Sequence, residues 1–126
     1  MMAEWLVEWR SSSDHRNRLA AALEDVRRLP YADRIVVFGS MGRGDPLPGD
    51  VDLIVEVDGS VPPYDLLAIA RRHYGLIDPF VRMGPRGRLL VRDDDAVEWK
   101  RARNVRSIML GMRTDGRPLA DVRFQP

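Results

Sequence analysis

Asp50 and Asp52 stand two residues apart, with the apolar run Leu53-Ile54-Val55 directly behind them. Val51, Leu53, Val55 and Val57 alternate with Asp52, Ile54 and Glu56, which predicts a strand. Residues two apart on a strand point to the same face, so the two carboxylates must share a face. Like charges that close push each carboxyl toward its protonated form. A divalent cation removes that penalty, and hard oxygen donors suit Mg²⁺ or Mn²⁺, with water and a substrate phosphate completing the shell. An isolated Asp-x-Asp is frequent by chance and would read as a solvated sheet face.

The preceding segment changes that reading. Ile35-Val36-Val37-Phe38 is a continuous apolar run bounded by Arg34 and Gly39, the pattern of a buried strand. Gly39 to Gly49 then forms a loop dense in Gly and Pro. If a short helix begins near Ser40, its free backbone N–H groups can hold phosphate oxygens. Gly39 would let the backbone approach closely, the Ser40 hydroxyl would add a donor, and Arg43 would bring positive charge to a triphosphate. No Gly-Lys-Ser/Thr occurs, so the loop is not a Walker A loop. The glycines at 39, 42 and 44 do not fit the dinucleotide fingerprint.

Other elements must position these residues. Ser11 and Asp14 have capping-box spacing, and Leu19, Ala22, Leu23 and Val26 follow at helical spacing until Pro30. Residues before Ser11 fit a short helix, with Trp5 and Trp9 at i, i+4. Pro62 and Pro63 open a helix over Tyr64–His73. Leu76–Val81 reads as a strand that Pro79 confines to an edge or a bulge. The turn Gly84-Pro85-Arg86-Gly87 should return the chain into a strand over Leu89–Arg92. Asp93–Asp95 are expected to cap a last helix with Trp99, Ala102, Val105, Met109 and Met112 as its apolar stripe, ended by Gly116 and Pro118. The order α, β, β, α, β, β, α is an α+β pattern with one mixed sheet.

Composition sets wider bounds. The 126 residues are 44% hydrophobic and 31% charged, enough for one self-sufficient core. There is no cysteine, which excludes a disulfide scaffold, a thiolate zinc site and a cysteine nucleophile. No apolar run is long enough to cross a bilayer, and the start lacks a secretory pattern, so a cytoplasmic location is expected. The net charge of +1 favours no partner in bulk. From Arg82 onward, however, eleven basic residues face six acidic ones, and Lys100 is the lone lysine. Arg101, Arg103, Arg106 and Arg113 could line a basic face for tRNA or another acidic acceptor. On composition alone a solvated helix face is the favoured reading. His15 and His73 receive no role, and Arg43-Gly44-Asp45 is read as a chance triplet.

The combination is more specific than its parts. The apolar strand, Gly39-Ser40, nine intervening residues and Asp50-Val51-Asp52 resemble the signature of the DNA polymerase β-like nucleotidyltransferases. Phe38-Gly39-Ser40-Met41-Gly42-Arg43-Gly44 resembles the opening of their minimal members. The likeness is strongest from Ile35 to Val57. It implies a single-domain fold with a small mixed sheet and helices mainly on one face, an N-terminal helical segment over 1–30 and a nucleotidyltransferase domain over 31–126. It also implies a third carboxylate on a neighbouring strand, for which Asp78 stands in the matching position. Asp50, Asp52 and Asp78 would then be catalytic and metal-binding, and Gly39, Ser40 and Arg43 nucleotide-binding. Gly42, where Ala is usual, Gly49 and the Pro after Asp78 depart from the pattern.

The implied function is metal-dependent transfer of a nucleoside monophosphate, AMP from ATP, to a macromolecule docking in trans. In the resembling family that acceptor is often a HEPN-type helical protein in a toxin–antitoxin pair. Two alternatives stay open: a non-catalytic antitoxin that grips its partner, and a small-molecule modifier resembling the aminoglycoside nucleotidyltransferases.

Overall fold

The computed structural model describes residues 2–45, 48–59 and 61–123, with side chains of residues 2–13, including Trp5 and Trp9, outside that description. Six strands form one mixed sheet in the order β5-β4-β3-β2-β1-β6. They are β1 Val36–Phe38, β2 Val51–Val57, β3 Ile77–Met83, β4 Leu89–Asp93, β5 Glu98–Arg101 and β6 Arg117–Pro118. The helices are α1 Met2–Arg27, α2 Gly39–Arg43, α3 Tyr64–Arg72 and α4 Val105–Asp115. Only β2 and β3 run parallel, and α3 is their crossover.

Alternation along the strands divides the core between the two faces. Val37, Leu53, Val55 and Val81 turn to one side and pack with Leu19, Leu23 and Val26 of α1 and Leu66 and Ile69 of α3. On the other side Phe38, Ile54 and Leu89 meet Ile108 of α4, with Phe80, Val91, Met109 and Met112 against them. The expected mixed sheet is thus present, with two of the three longer helices on one face and α4 on the other.

Three local expectations are corrected. Ser11–Ser13 do not start a helix, because α1 runs unbroken through them and their N–H groups need no cap. Asp14 instead pairs with Arg18 one turn on, at 3.5 Å. Pro79 sits in an inner strand, not at an edge. The Val51 N–H bonds the Leu76 carbonyl at 2.8 Å, and parallel alternation then turns position 79 toward β4. Pairing with β4 begins only at Phe80, so the donor that proline lacks is not needed.

Asp93–Asp95 do not open a helix. Asp93 Oδ1 accepts from the N–H of Asp95 at 3.1 Å and of Ala96 at 3.3 Å, and Val97 takes φ +55°. This side-chain-stabilised turn folds the chain back as β5. Trp99 therefore lies on β5 and Ala102 beyond it, and α4 starts only at Val105. Gly116 ends α4 as expected, and Arg117–Pro118 then pair with Val37 and Val36 as β6.

Leu23 is fully buried between α1 and the sheet. Leu23→Ala should lower unfolding free energy by about 3 kcal/mol in urea denaturation. Leu110→Ala, at a side chain 55% exposed, should stay within about 0.5 kcal/mol of wild type.

Candidate active site

Three carboxylates from two strands meet at one end of the sheet. Asp50 immediately precedes β2, Asp52 is its second residue, and Asp78 is the second residue of β3. The parallel register sets Asp52 directly beside Asp78. One carboxylate oxygen from each of Asp50, Asp52 and Asp78 lies within 4.8 Å of the others. Asp50 and Asp52 are half-buried, and Asp78 is exposed. The face they share carries Phe38, opposite Asp52 on β1, and Phe80, two residues beyond Asp78. Their rings pack 5.4 Å apart at 51°, an apolar floor beside the acids.

The electrostatics are those of an under-compensated anionic site. Burial, with the charges of Asp50 and Asp78, pushes the Asp52 carboxyl up to about 7, against a smaller opposing pull from Arg43. Burial and Asp78 also raise Asp50, while His15 pulls it slightly down. Among the described residues no salt bridge reaches any of the three acids. Three converging hard oxygens so weakly compensated are a donor set that fits Mg²⁺ or Mn²⁺.

The short helix α2 begins at Gly39, directly after β1. Gly39 has φ +68°, and a Cβ there would overlap the Asp52 carboxylate. Glycine is thus required twice at this position, for backbone conformation and for the space that Asp52 occupies. Gly42 is also explained, because a Cβ would strike the Asp115 carbonyl of α4 and the Val37 carbonyl of β1. Alanine is excluded there by the close packing of α2 on both elements. Gly49 has open space around it.

Arg43 is held at the far end of α2. Its guanidinium donates to Asp115 at 3.1 Å and to Asp45 at 3.3 Å, so part of its charge is already matched.

One neighbour was missed in the sequence. His15 of α1 places Nε2 2.8 Å from the Pro48 carbonyl. With Nε2 donating, α1 is tied to the chain two residues before Asp50. No motif links positions 33 residues apart, and only packing of α1 on the sheet brings them together. His73, by contrast, contacts Asp25 at 2.6 Å, across the sheet from the acids.

Two predictions follow from this geometry. Gly39→Ala should force both a left-handed alanine, costing about 1–2 kcal/mol, and displacement of Asp52. Calorimetric Mn²⁺ titration should show binding lost while the circular dichroism spectrum remains folded. The second concerns pH. An acid whose folded-state pKa is raised binds more protons folded than unfolded, so stability falls as pH rises between its unfolded value and about 7. For metal-free protein, stability should fall between about pH 4 and pH 7 and level off above. Saturating Mg²⁺ should restore most of it at about pH 8, where Asp52 is ionised, in thermal melts with and without the metal.

Residues 19–108 match the family model described as nucleotidyltransferase domain. No curated protein and no solved structure matched the chain. The matched stretch opens inside α1, spans the whole acidic site and its crossover helix, and ends in α4. No helix among the described residues is long and apolar enough to cross a membrane. With well over half of its 126 residues covered by that one model, and with a glycine-opened short helix set against a carboxylate trio, the chain belongs to the nucleotidyltransferase domain family.

Proposed function

We propose that the chain moves AMP from ATP to a hydroxyl group of a macromolecular acceptor. The observation that carries this reading is the convergence of Asp50, Asp52 and Asp78 within 4.8 Å beside the start of α2. Asp50 and Asp52, joined by Asp78, would hold Mg²⁺ or Mn²⁺. When bound, the metal supplies charge neutralisation of the triphosphate and of the attacking and leaving oxygens.

The protein's own contribution is positioning and proton transfer. The N–H groups at the start of α2 lack partners within so short a helix. With the Ser40 hydroxyl they would orient phosphate oxygens, as helix starts do. Arg43 would add positive charge from the end of α2, with Asp115 and Asp45 holding its guanidinium in place. Asp78 is the most exposed of the three acids, so an acceptor would reach it most readily. Its carboxylate would take the acceptor's hydroxyl proton as the new oxygen–phosphorus bond forms. The α–β phosphoanhydride bond then breaks, and pyrophosphate leaves with the electron pair. Catalysis of this kind is chiefly orientation and charge placement. A toxin–antitoxin pair is one setting in which such a transfer would act.

The test is calorimetric titration of ATP with Mg²⁺ and with a chelator, beside Asp50→Ala/Asp52→Ala. The expected result is Mg²⁺-dependent binding that the double variant loses. Labelling with ATP carrying the isotope at the α- or the γ-phosphate follows, and only α-label should enter an acceptor. Absence of binding to every nucleoside triphosphate, or transfer of γ-label, would overturn the reading.

A further inference from the structure

Between Trp99 and Thr114 the chain carries Lys100, Arg101, Arg103, Arg106 and Arg113 and no Asp or Glu. That is a local charge of +5 in a protein whose total is +1. Lys100, Arg101, Arg103 and Arg106 are all exposed. Arginines elsewhere commonly have acidic partners, as Arg43 has Asp115 and Arg72 has Asp25. Among the described residues, no salt bridge involves any of the five cations of this segment. Three of them line a surface groove with Val91, Ala102 and Asn104, where β4 and β5 meet the approach to α4.

Strand register relates this groove to the acidic site. Phe80 pairs with Val91, and Val91 with Lys100. Phe80 lies two residues beyond Asp78, so Lys100 shares a face with the three acids. Two strand spacings sideways and two residues along put the Lys100 and Asp78 backbones about 12 Å apart. The row level with Asp78 runs instead toward Asp93 and Glu98, which pair at the far end of the β4–β5 hairpin. The register thus places acidic residues along that row and a cation, Lys100, on the diagonal through Phe80 and Val91.

We infer that this groove is the acceptor site and that it takes the phosphodiester backbone of a nucleic-acid strand. Lys100 and Arg103 would each neutralise a phosphate, with Arg106 extending the track, so that the strand's terminal ribose hydroxyl reaches Asp78. Unpaired cations without interspersed acids suit a repeating phosphate chain. A protein surface would more often be met by mixed charges and a larger apolar area. The inference rests on the transfer reading above, and its test separates the two.

The probe is a short fluorescein-labelled single-stranded RNA, added to the full chain at low salt without Mg²⁺ and followed by anisotropy. Lys100→Glu/Arg103→Glu should weaken binding at least about tenfold and flatten the log–log salt slope by about 1.4, the share of two phosphates. Arg34→Glu/Arg71→Glu makes the same charge change away from the groove and should leave more than half the affinity. Asp50→Ala/Asp52→Ala should bind RNA at least as well as wild type while losing Mg²⁺-dependent ATP binding. If the groove variant does not fold, Lys100→Gln/Arg103→Gln replaces it, with a several-fold loss expected.

Equal weakening by both charge-reversal pairs would overturn the groove assignment in favour of a diffuse field. ATP binding without any RNA binding would also overturn it and leave the transfer reading standing. Should the groove variant then block labelling of a partner protein, the groove belongs to a protein acceptor. RNA binding at the groove without nucleotide binding would sustain the groove and overturn the transfer reading.

Discussion

Seven residues of β2 pair in parallel with seven of β3, and that ladder brings Asp52 beside Asp78. Side chains alternate along a strand, so a slip of one residue would send one of these acids to the opposite face. Apolar burial holds the register in place. Val51, Leu53 and Val55 of β2 and Ile77 and Val81 of β3 are almost wholly buried against α1 and α3. Any slip would expose these side chains and bury Asp52 and Glu56 in their place. The hydrophobic effect on one face thereby enforces an unfavourable charge arrangement on the other. The raised carboxyls of Asp50 and Asp52 express that conflict, and a bound divalent cation would resolve it.

Close backbone approach is the second constraint. α2 is wedged between β1, β2 and α4, with Gly39 leaving room for Asp52 and Gly42 admitting the Asp115 carbonyl. The Arg43–Asp115 and Arg43–Asp45 bonds hold the exit of the same helix. A five-residue helix has little stability of its own, so its position depends on these contacts. The helix start and Asp52 are thereby coupled, because a side chain at position 39 would displace the carboxylate.

Much of the site was legible locally. The apolar strand, the glycine-serine step and the Asp-x-Asp pair are short-range patterns, and the structure assembles them as that spacing implies. Asp78 could be placed only through a family resemblance, because its partnership with Asp52 crosses a helical connection. The errors share a cause. Ser11 to Asp14 carried an acceptable helix start, but α1 continued through it. Asp93 to Asp95 carried another, but the Asp93 side chain satisfied a turn instead. Capping residues also make good turn residues, since both depend on a side-chain oxygen accepting backbone N–H groups. Sequence spacing does not say which use prevails.

The amino-acid sequence by itself determined where apolar faces form, which residues could bind phosphate or metal, and that two carboxylates would share a face. These follow from residue type and a two-residue or 3.6-residue period, both local properties. Tertiary structure alone decided that Pro79 could occupy an inner strand, that His15 would reach Pro48, and that Gly42 had to be glycine. It also decided that Trp99 and Lys100 would lie on a strand, with Lys100 on the face that carries the acids. Each of these depends on strand order and on which backbone lies opposite, and those are set by how distant apolar faces pack together.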